Sequence, residues 1–305
     1  MTRRESLKSV LGLAMLPSTN GLSLSSLWST IKVRSIPSSG ESLPVVGVGT
    51  WRTFDVGSSG QARAPLEKVL EKLLAHGGSV IDSSPMYGRS EEVVGGLATK
   101  LNMVNKLFMA TKVWTSGRQA GIDQMNRSMD RMQKRPMDLM QIHNLVDWKT
   151  HIKTLQSWKQ SRRIRYIGIT HYIESAYDEM MHIMKNYPLD FIQLNYSVTS
   201  RAAENKILPL ALEKGIAVII NRPYEGGSLF RKVNGQALPG WASEFDCNSW
   251  GQFFLKYILS HPAVTCVIPG TSNPRHMVDN LGAGLGRLPS ARERQQVINF
   301  LKDQF

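Results

Sequence analysis

Cysteine is nearly absent from this chain of 305 residues, where Cys247 and Cys266 are the two present. Two thiols exclude a disulfide framework and any multi-cysteine metal centre, and no metal is expected. Acidic residues are outnumbered, 24 against 37 lysines and arginines, which leaves a formal net charge of +13. That balance favours an anionic ligand, and a cofactor carrying several phosphates satisfies it as well as nucleic acid does. Zinc-finger, RNA-recognition and basic-zipper patterns are missing. The basic residues are scattered, singly or in isolated pairs, with Arg162-Arg163 and Arg165 the densest group, so nucleic acid is not the expected partner. No Gly-x-Gly-x-x-Gly turn follows the first strand-like run, because Gly47-x-Gly49 leads into Thr50-Trp51. The usual dinucleotide signature of a doubly wound sheet is therefore lacking. Repeats and interdomain linkers are absent as well. What remains, 42% apolar and 20% charged residues, is the composition of a folded chain with a sizeable core.

Residues 1–31 read as a separate object, a signal-like or disordered extension ahead of one body at 32–305. Arg3, Arg4 and Lys8 precede an apolar stretch from Val10 to Leu16, followed by Pro17 and a Ser-rich run to Thr30. This is the layout of an export signal, and the stretch is far short of the roughly 20 residues of a membrane span. Thr2-Arg3-Arg4-Glu5-Ser6-Leu7-Lys8 resembles the bacterial twin-arginine signal, with Ser6 where that motif usually has Phe. The location it implies is periplasmic or exported; a chain with no working signal would be cytoplasmic. Setting residues 1–31 aside leaves +11 on the body.

In the body, short apolar runs alternate with amphipathic stretches, the pattern of parallel β/α units. Eight runs are legible: Val45–Thr50, Ser79–Asp82, Leu107–Lys112, Met137–His143, Ile164–Thr170, Phe191–Asn195, Ala217–Asn221 and Thr265–Ile268. Helices are expected at Pro65–Ala75, Ser90–Leu101, His151–Gln160, Ala176–Asn186, Ala202–Lys214, Gln252–Ser260, His276–Leu281 and Ala291–Phe305. Eight such units match the size of a (β/α)₈ TIM barrel. Val33–Pro44, with Ser38-Ser39-Gly40 at its centre, reads as a β-hairpin closing the barrel floor. The long stretch Phe230–Asn248 is expected to be a lid.

In such barrels polar groups at the C-terminal ends of strands mark the site. Asp82, Lys112 and His143 each close a run, and Tyr87 follows in Asp82-Ser83-Ser84-Pro85-Met86-Tyr87-Gly88. Singly, each has a duller reading: a helix cap, a solvated lysine, a structural histidine. Together they line one mouth. A buried lysine needs a carboxylate, which Asp82 supplies. A phenol, with an ordinary pKa near 10, is expected to be drawn down by a neighbouring ammonium and so to become a general acid. His143 would orient a carbonyl oxygen. No serine or cysteine nucleophile arrangement is evident, so the attacking species comes from outside the chain.

The motifs VVGVGTW, GGSVIDSSPMYGRSEEVVGGL, FMATKVW, DLMQIHN, IRYIGITHY, FIQLNYS and VIPGTSNPRHMVDNL resemble the aldo/keto reductase superfamily from about Leu43 to Leu281. The resemblance implies a (β/α)₈ barrel, NADPH bound across its mouth (NADH being the other option) and reduction of an aldehyde or ketone carbonyl to an alcohol. Asp82, Tyr87, Lys112 and His143 match the family's catalytic tetrad, with Tyr87 the proton donor. Gly49, Thr50 and Trp51 match the loop beside the nicotinamide, and Gln193 the glutamine that binds its carboxamide. Thr170 and His171 stand where many members have Ser-Asn. Asn221 replaces an aromatic, ahead of Arg222 and Pro223. Gly270, Thr271, Arg275, His276 and Asn280 fall on the adenosine-phosphate site. Trp51 and Trp114 would wall the substrate pocket, and Asn144 replaces a third aromatic there.

Two rival readings remain: a non-catalytic sensor or regulatory subunit that binds the nucleotide on the same fold, and a barrel hydrolase or lyase that needs none. For the reductase reading the expected partner is a small carbonyl compound, with the oligomeric state open. The export reading has a direct check: N-terminal sequencing of secreted protein should begin well beyond Thr2, and a product starting at Met1 or Thr2 removes it.

Overall fold

A strand covered on both faces cannot alternate apolar with polar residues, so its sequence is a continuous apolar run. The computed structural model, which describes residues 30–302 and Gln304, places such runs at the centre of the chain. The signal expected in the first 31 residues falls almost wholly outside the described part. Strands β1 (Val33–Ser35) and β2 (Ser42–Pro44) form an antiparallel hairpin. The turn ends at Gly40 with φ of 76°, a left-handed conformation that glycine takes without a Cβ penalty. Then follow β3 (Val48–Gly49), β4 (Val80–Asp82), β5 (Phe108–Val113), β6 (Met137–His143), β7 (Ile164–Thr170), β8 (Phe191–Asn195), β9 (Ala217–Asn221) and β10 (Val264–Val267), eight parallel strands paired in chain order. The seam closes where Gly47 N–H donates to Val267 O and Val267 N–H to Val45 O, each at 2.9 Å. The expected (β/α)₈ barrel is present.

Around it lie α1 (Gly60–Ala75), α2 (Ser90–Lys100), α3 (Arg118–Met132), α4 (Trp148–Gln160), α5 (Tyr177–Asn186), α6 (Ile207–Lys214), α7 (Ser228–Lys232), α8 (Trp250–Leu259), α9 (Pro274–Gly282) and α10 (Ala291–Lys302). Successive strand residues point to opposite faces. Ile81, Met109, Ile142 and Ile192 face the helices, while Val80, Phe108, Leu139, Tyr166 and Phe191 fill the barrel. Within the barrel the rings of Phe108, Tyr166 and Phe191 lie 5.5–5.9 Å apart. Ile36 and Leu43 of the hairpin join this interior cluster, and Glu41 fastens the hairpin by accepting from Tyr166 Oη at 2.6 Å and pairing with Arg165.

Three expectations need correction. The reading left no helix between β5 and β6, yet α3 is there. Its buried face is Gly121, Met125, Ser128, Met129 and Met132, a helical spacing that glycine and serine dilute. The first helix begins at Gly60, with the Ser59 hydroxyl accepting from Ala62 N–H at 3.2 Å, so Pro65 lies inside it. Apart from Phe230, which lines the cleft at its start, the segment Phe230–Asn248 is packed down rather than poised over the mouth. Phe245 is fully buried, and Trp241 contacts the rings of Phe245, Phe253 and Phe300 at 5.6–6.0 Å, so aromatic burial outweighs loop length.

Helices α2 and α3 meet backbone to backbone at Gly95, where a Cβ would fall 2.0 Å from Arg131 O. Gly95→Ala should therefore destabilise the fold by about 1–3 kcal/mol, read as a lower urea midpoint at unchanged slope. Gly96→Ala is the control, because its Cβ would meet only the far end of Arg63 at 3.7 Å; it should hold or raise the midpoint.

Candidate active site

The interior changes character from floor to mouth. Parallel register puts Lys112 beside Gln141, His143 beside Thr170, and Thr170 beside Gln193. Period-two alternation thus turns an apolar floor into a polar rim on the same faces of the same strands. Asp82 ends β4, and Lys112, one residue before the end of β5, is fully buried beneath the mouth. Lys112 Nζ donates to Asp82 Oδ2 at 2.6 Å and to the Ser83 carbonyl at 2.7 Å. The other carboxylate oxygen, Oδ1, accepts from Gln141 Nε2 and Gln193 Nε2, both at 3.0 Å. Burial opposes charge on Lys112, but Asp82 and Tyr87 together outweigh it and the net pKa is raised.

Tyr87 is held in the turn between β4 and α2 by its N–H, which donates to Ser84 O at 3.0 Å. Its ring lies 5.1 Å from Lys112 Nζ and meets His143 edge-on at 5.7 Å. The sequence-based expectation was a phenol drawn down by the ammonium. The structure reverses the sign: burial pushes the Tyr87 phenol up by more than Lys112 pulls it down, and Asp82 adds to the rise. His143, the last residue of β6, is buried with Nδ1 2.9 Å from Ser84 Oγ. Burial, then the charge of Lys112, lowers its pKa to about 2, so the imidazole is neutral.

Above these groups opens a cleft of about 550 Å³. Phenol, ammonium, carboxylate and imidazole converge at its base, and residues 45–293 match the aldo/keto reductase family model. The chain belongs to the aldo/keto reductase family. Among its relatives are an aldo-keto reductase, YhdN, of Bacillus subtilis, 25% identical over 61% of this chain and 60% of that one, and methylglyoxal reductase YeaE of Escherichia coli, 26% identical over 78% of this chain and 84% of that one. The match thus spans less than two thirds of the length of the Bacillus relative. An aldo-keto reductase from Klebsiella pneumoniae, solved in complex with NADPH, shares the fold with a TM-score of 0.73 at 21% identity, over 89% of this chain and 95% of that one.

For this aldo/keto reductase the cleft is lined by Gly49, Thr50, Trp51, Asn144, Thr170, Gln193, Asn221, Arg222, Pro223 and Gly270, together with Asp82, Tyr87 and His143. His171 stands just outside, its Nδ1 accepting from Tyr172 N–H at 3.0 Å. Trp114, expected as a pocket wall, is exposed 6.4 Å from the His143 ring and does not line the cleft. Thr271, Arg275, His276 and Asn280 do not line the cleft. Thr271 Oγ1 accepts from Asn273 N–H at 3.0 Å, Asn273 caps α9, and Asn280 Oδ1 accepts from Tyr224 Oη at 2.6 Å. Gln193, matched by resemblance to a carboxamide binder, is engaged within the protein. Besides Asp82 it meets Thr170 Oγ1 at 3.1 Å and Asn221 Nδ2 at 3.4 Å through Oε1.

Sequence reading passed over Arg52, Tyr172 and Tyr224, which line the cleft together with Phe230. The Arg52 guanidinium lies 4.3 Å over the Trp51 ring and that of Arg222 5.7 Å over Tyr172. Both arginines have positive φ, 62° and 48°, a backbone cost that persists at functional sites. Arg222 directly follows β9 and Arg52 stands three residues beyond β3; for Arg52 that loop at a strand end was the available signal. Gln141 was also missed, since a lone glutamine in an apolar run carries no pattern.

A neutral buried histidine has a consequence for stability. Unfolded imidazole takes its proton near pH 6.5, whereas His143 stays neutral down to about 2. Between these values the unfolded chain binds one more proton than the native one, so this contribution is complete above pH 6.5 and is lost as pH falls. From pH 6 to 4 the wild type should lose up to about 1.4 kcal/mol more per pH unit than His143→Gln, measured by urea unfolding at each pH; parallel slopes would contradict a neutral imidazole.

Proposed function

We propose that this chain reduces aldehyde or ketone carbonyls to alcohols, using a reduced nicotinamide nucleotide, NADPH or NADH. The observation that carries the reading is the phenol of Tyr87 set against the buried Lys112–Asp82 pair and the edge of the His143 imidazole, at the base of one cleft. The residues present fit the cofactor. Asn221 lines the cleft, and its Oδ1 is buried without a hydrogen-bond partner among the described residues, an acceptor suited to a carboxamide NH₂. A Cβ on Gly270 would stand 3.2 Å from Gly49 O, so bare backbone faces the cleft at the barrel seam. Thr170, His171 and Asn221 would hold the amide end. Arg52 and Arg222, mounted on aromatic rings, would take the phosphates as charge-assisted donors, with Arg275 and His276 beyond them. When bound, the nicotinamide supplies a hydride to the carbonyl carbon.

The chain's own residues handle the other half of the reaction. The elevated pKa keeps the Tyr87 proton in place at neutral pH, ready for the oxygen that gains negative charge. As that proton leaves, Lys112 faces a phenolate instead of a phenol, and its attraction is greatest at that moment. Asp82 holds the ammonium in position without moving a proton itself. His143, neutral, offers a hydrogen bond to the carbonyl oxygen and so sets which face of the carbonyl is presented. Hydride to carbon and proton to oxygen together give the alcohol. Met86, Trp51 and Phe230 give the cleft apolar walls.

The first assay is methylglyoxal and a panel of aldehydes with each reduced nicotinamide, methylglyoxal because the Escherichia coli relative is named for it. Tyr87→Phe should lower kcat by about 10²–10⁴-fold while quenching of tryptophan fluorescence by the nucleotide stays nearly unchanged. A variant keeping most of its kcat removes Tyr87 as the acid. Tight nucleotide binding with no turnover on the panel would favour the sensor reading, and absence of nucleotide binding would favour the hydrolase or lyase.

A further inference from the structure

Ser84 lies between Asp82 and Tyr87, and none of the roles above uses it. It is buried, and Pro85 confines its backbone to extended conformations, so its side chain is set before the turn begins. Its Oγ accepts from Met86 N–H at 3.3 Å and lies 2.9 Å from His143 Nδ1. The hydroxyl has one hydrogen to give, and among the described residues Nδ1 is the acceptor within its reach. If Nδ1 carried the imidazole hydrogen instead, Ser84 Oγ would receive two donors and its own buried hydrogen would have nowhere to go, an arrangement native interiors avoid. The ring's other nitrogen, Nε2, has no partner among the described residues, and His143 lines the cleft.

We propose that Ser84 is a positioning residue: its hydroxyl donates to His143 Nδ1 and thereby holds the imidazole as the Nε2–H tautomer, with one donor turned toward the substrate oxygen. A neutral imidazole has two tautomers, and the hydrogen bond at one nitrogen decides the other. The opposite tautomer would present a lone pair to a carbonyl oxygen, a repulsive contact. The low pKa of His143, caused first by burial and then by the charge of Lys112 with a smaller push from His171, agrees with a ring that carries a single hydrogen. Tyr87 and Trp114, the aromatic neighbours of the ring, meet it through ring faces and edges and leave its tautomer to Ser84. The benefit to turnover rests on the carbonyl-reductase reading; the tautomer itself does not.

The test is a long-range ¹H–¹⁵N spectrum of the full chain labelled at histidine, with the His143 signals assigned by their loss in His143→Asn. At neutral pH the wild type should show a protonated Nε2 and a bare, hydrogen-bonded Nδ1 at His143, and this pattern should persist to pH 5. Ser84→Ala should shift the signals toward a mixture of tautomers and lower kcat on the order of tenfold, one lost hydrogen bond by transition-state arithmetic, with nucleotide affinity unchanged. Ser84→Thr, which keeps the hydroxyl, should restore both. A hydrogen on Nδ1 in the wild type, or an unchanged tautomer in Ser84→Ala, overturns the assignment. Should the spectra come out as expected while no carbonyl is reduced, the Ser84 assignment stands and the functional reading falls.

Discussion

A lysine ammonium with no access to water, closed in by the barrel that carries it, sets the terms for everything else at the mouth. Lys112 is tolerated because Asp82 Oδ2 sits 2.6 Å away. A buried pair of this kind is weak support for the fold, since desolvating two ions consumes most of what their attraction returns. Its value lies in what the fixed charge does to its neighbours. It makes a second positive charge on His143 unfavourable, and it sits over the ring of a phenol that would feel its attraction most strongly once a proton departs. The second carboxylate oxygen cannot be left bare at that depth, and Gln141 and Gln193 both donate to it. The network therefore runs across β4, β5, β6 and β8, half of the barrel wall.

Only a barrel places these groups so closely without a long chain excursion. Each strand contributes side chains to the interior at every second position, and parallel register brings equivalent levels of adjacent strands together. The lower level is closed by Phe108, Tyr166 and Phe191 and sealed by the hairpin, with Ile36 and Leu43 pressed on them. That floor has no polar side chain to offer the site. It fixes strand spacing and excludes water from below, so the polar level meets solvent from one side, the cleft.

The fold was legible because its strands are short runs between helical stretches in regular alternation, and because the ends of those runs are polar. Asp82, Lys112 and His143 could be named for that reason alone. Tyr87 could be named because a phenol five residues beyond a strand-end Asp must return toward the same mouth. Two kinds of information were hidden. The helix α3 was hidden by its own buried face, where Gly121 and Ser128 stand among three methionines; close helix packing against Gly121 by His151 wants small residues, and small residues erase the hydrophobic stripe. The roles of Gln193, Thr271 and Asn280 were hidden by partner choice. Sequence places a side chain at a level of the barrel, but whether its amide faces the cleft or a carboxylate one strand away is settled by competition among polar groups that are distant along the chain.

The sign of the Tyr87 shift is the instructive case. Reading the chain in one dimension pairs the phenol with the nearest opposite charge it can acquire, and the ammonium is that charge. In three dimensions the same enclosure that brings Lys112 close also strips water from the phenolate, and Lys112 is already committed to Asp82, whose own negative charge opposes a second anion beside it. A phenol tuned down to neutrality would spend much of its time deprotonated and unable to serve as an acid. In the proposed carbonyl reduction, one kept protonated by burial, next to a cation whose attraction it feels in full only after the proton has gone, would be loaded in the resting protein and relieved in the transition state. Differential stabilisation of this sort accelerates a reaction where an equal effect on both states would not.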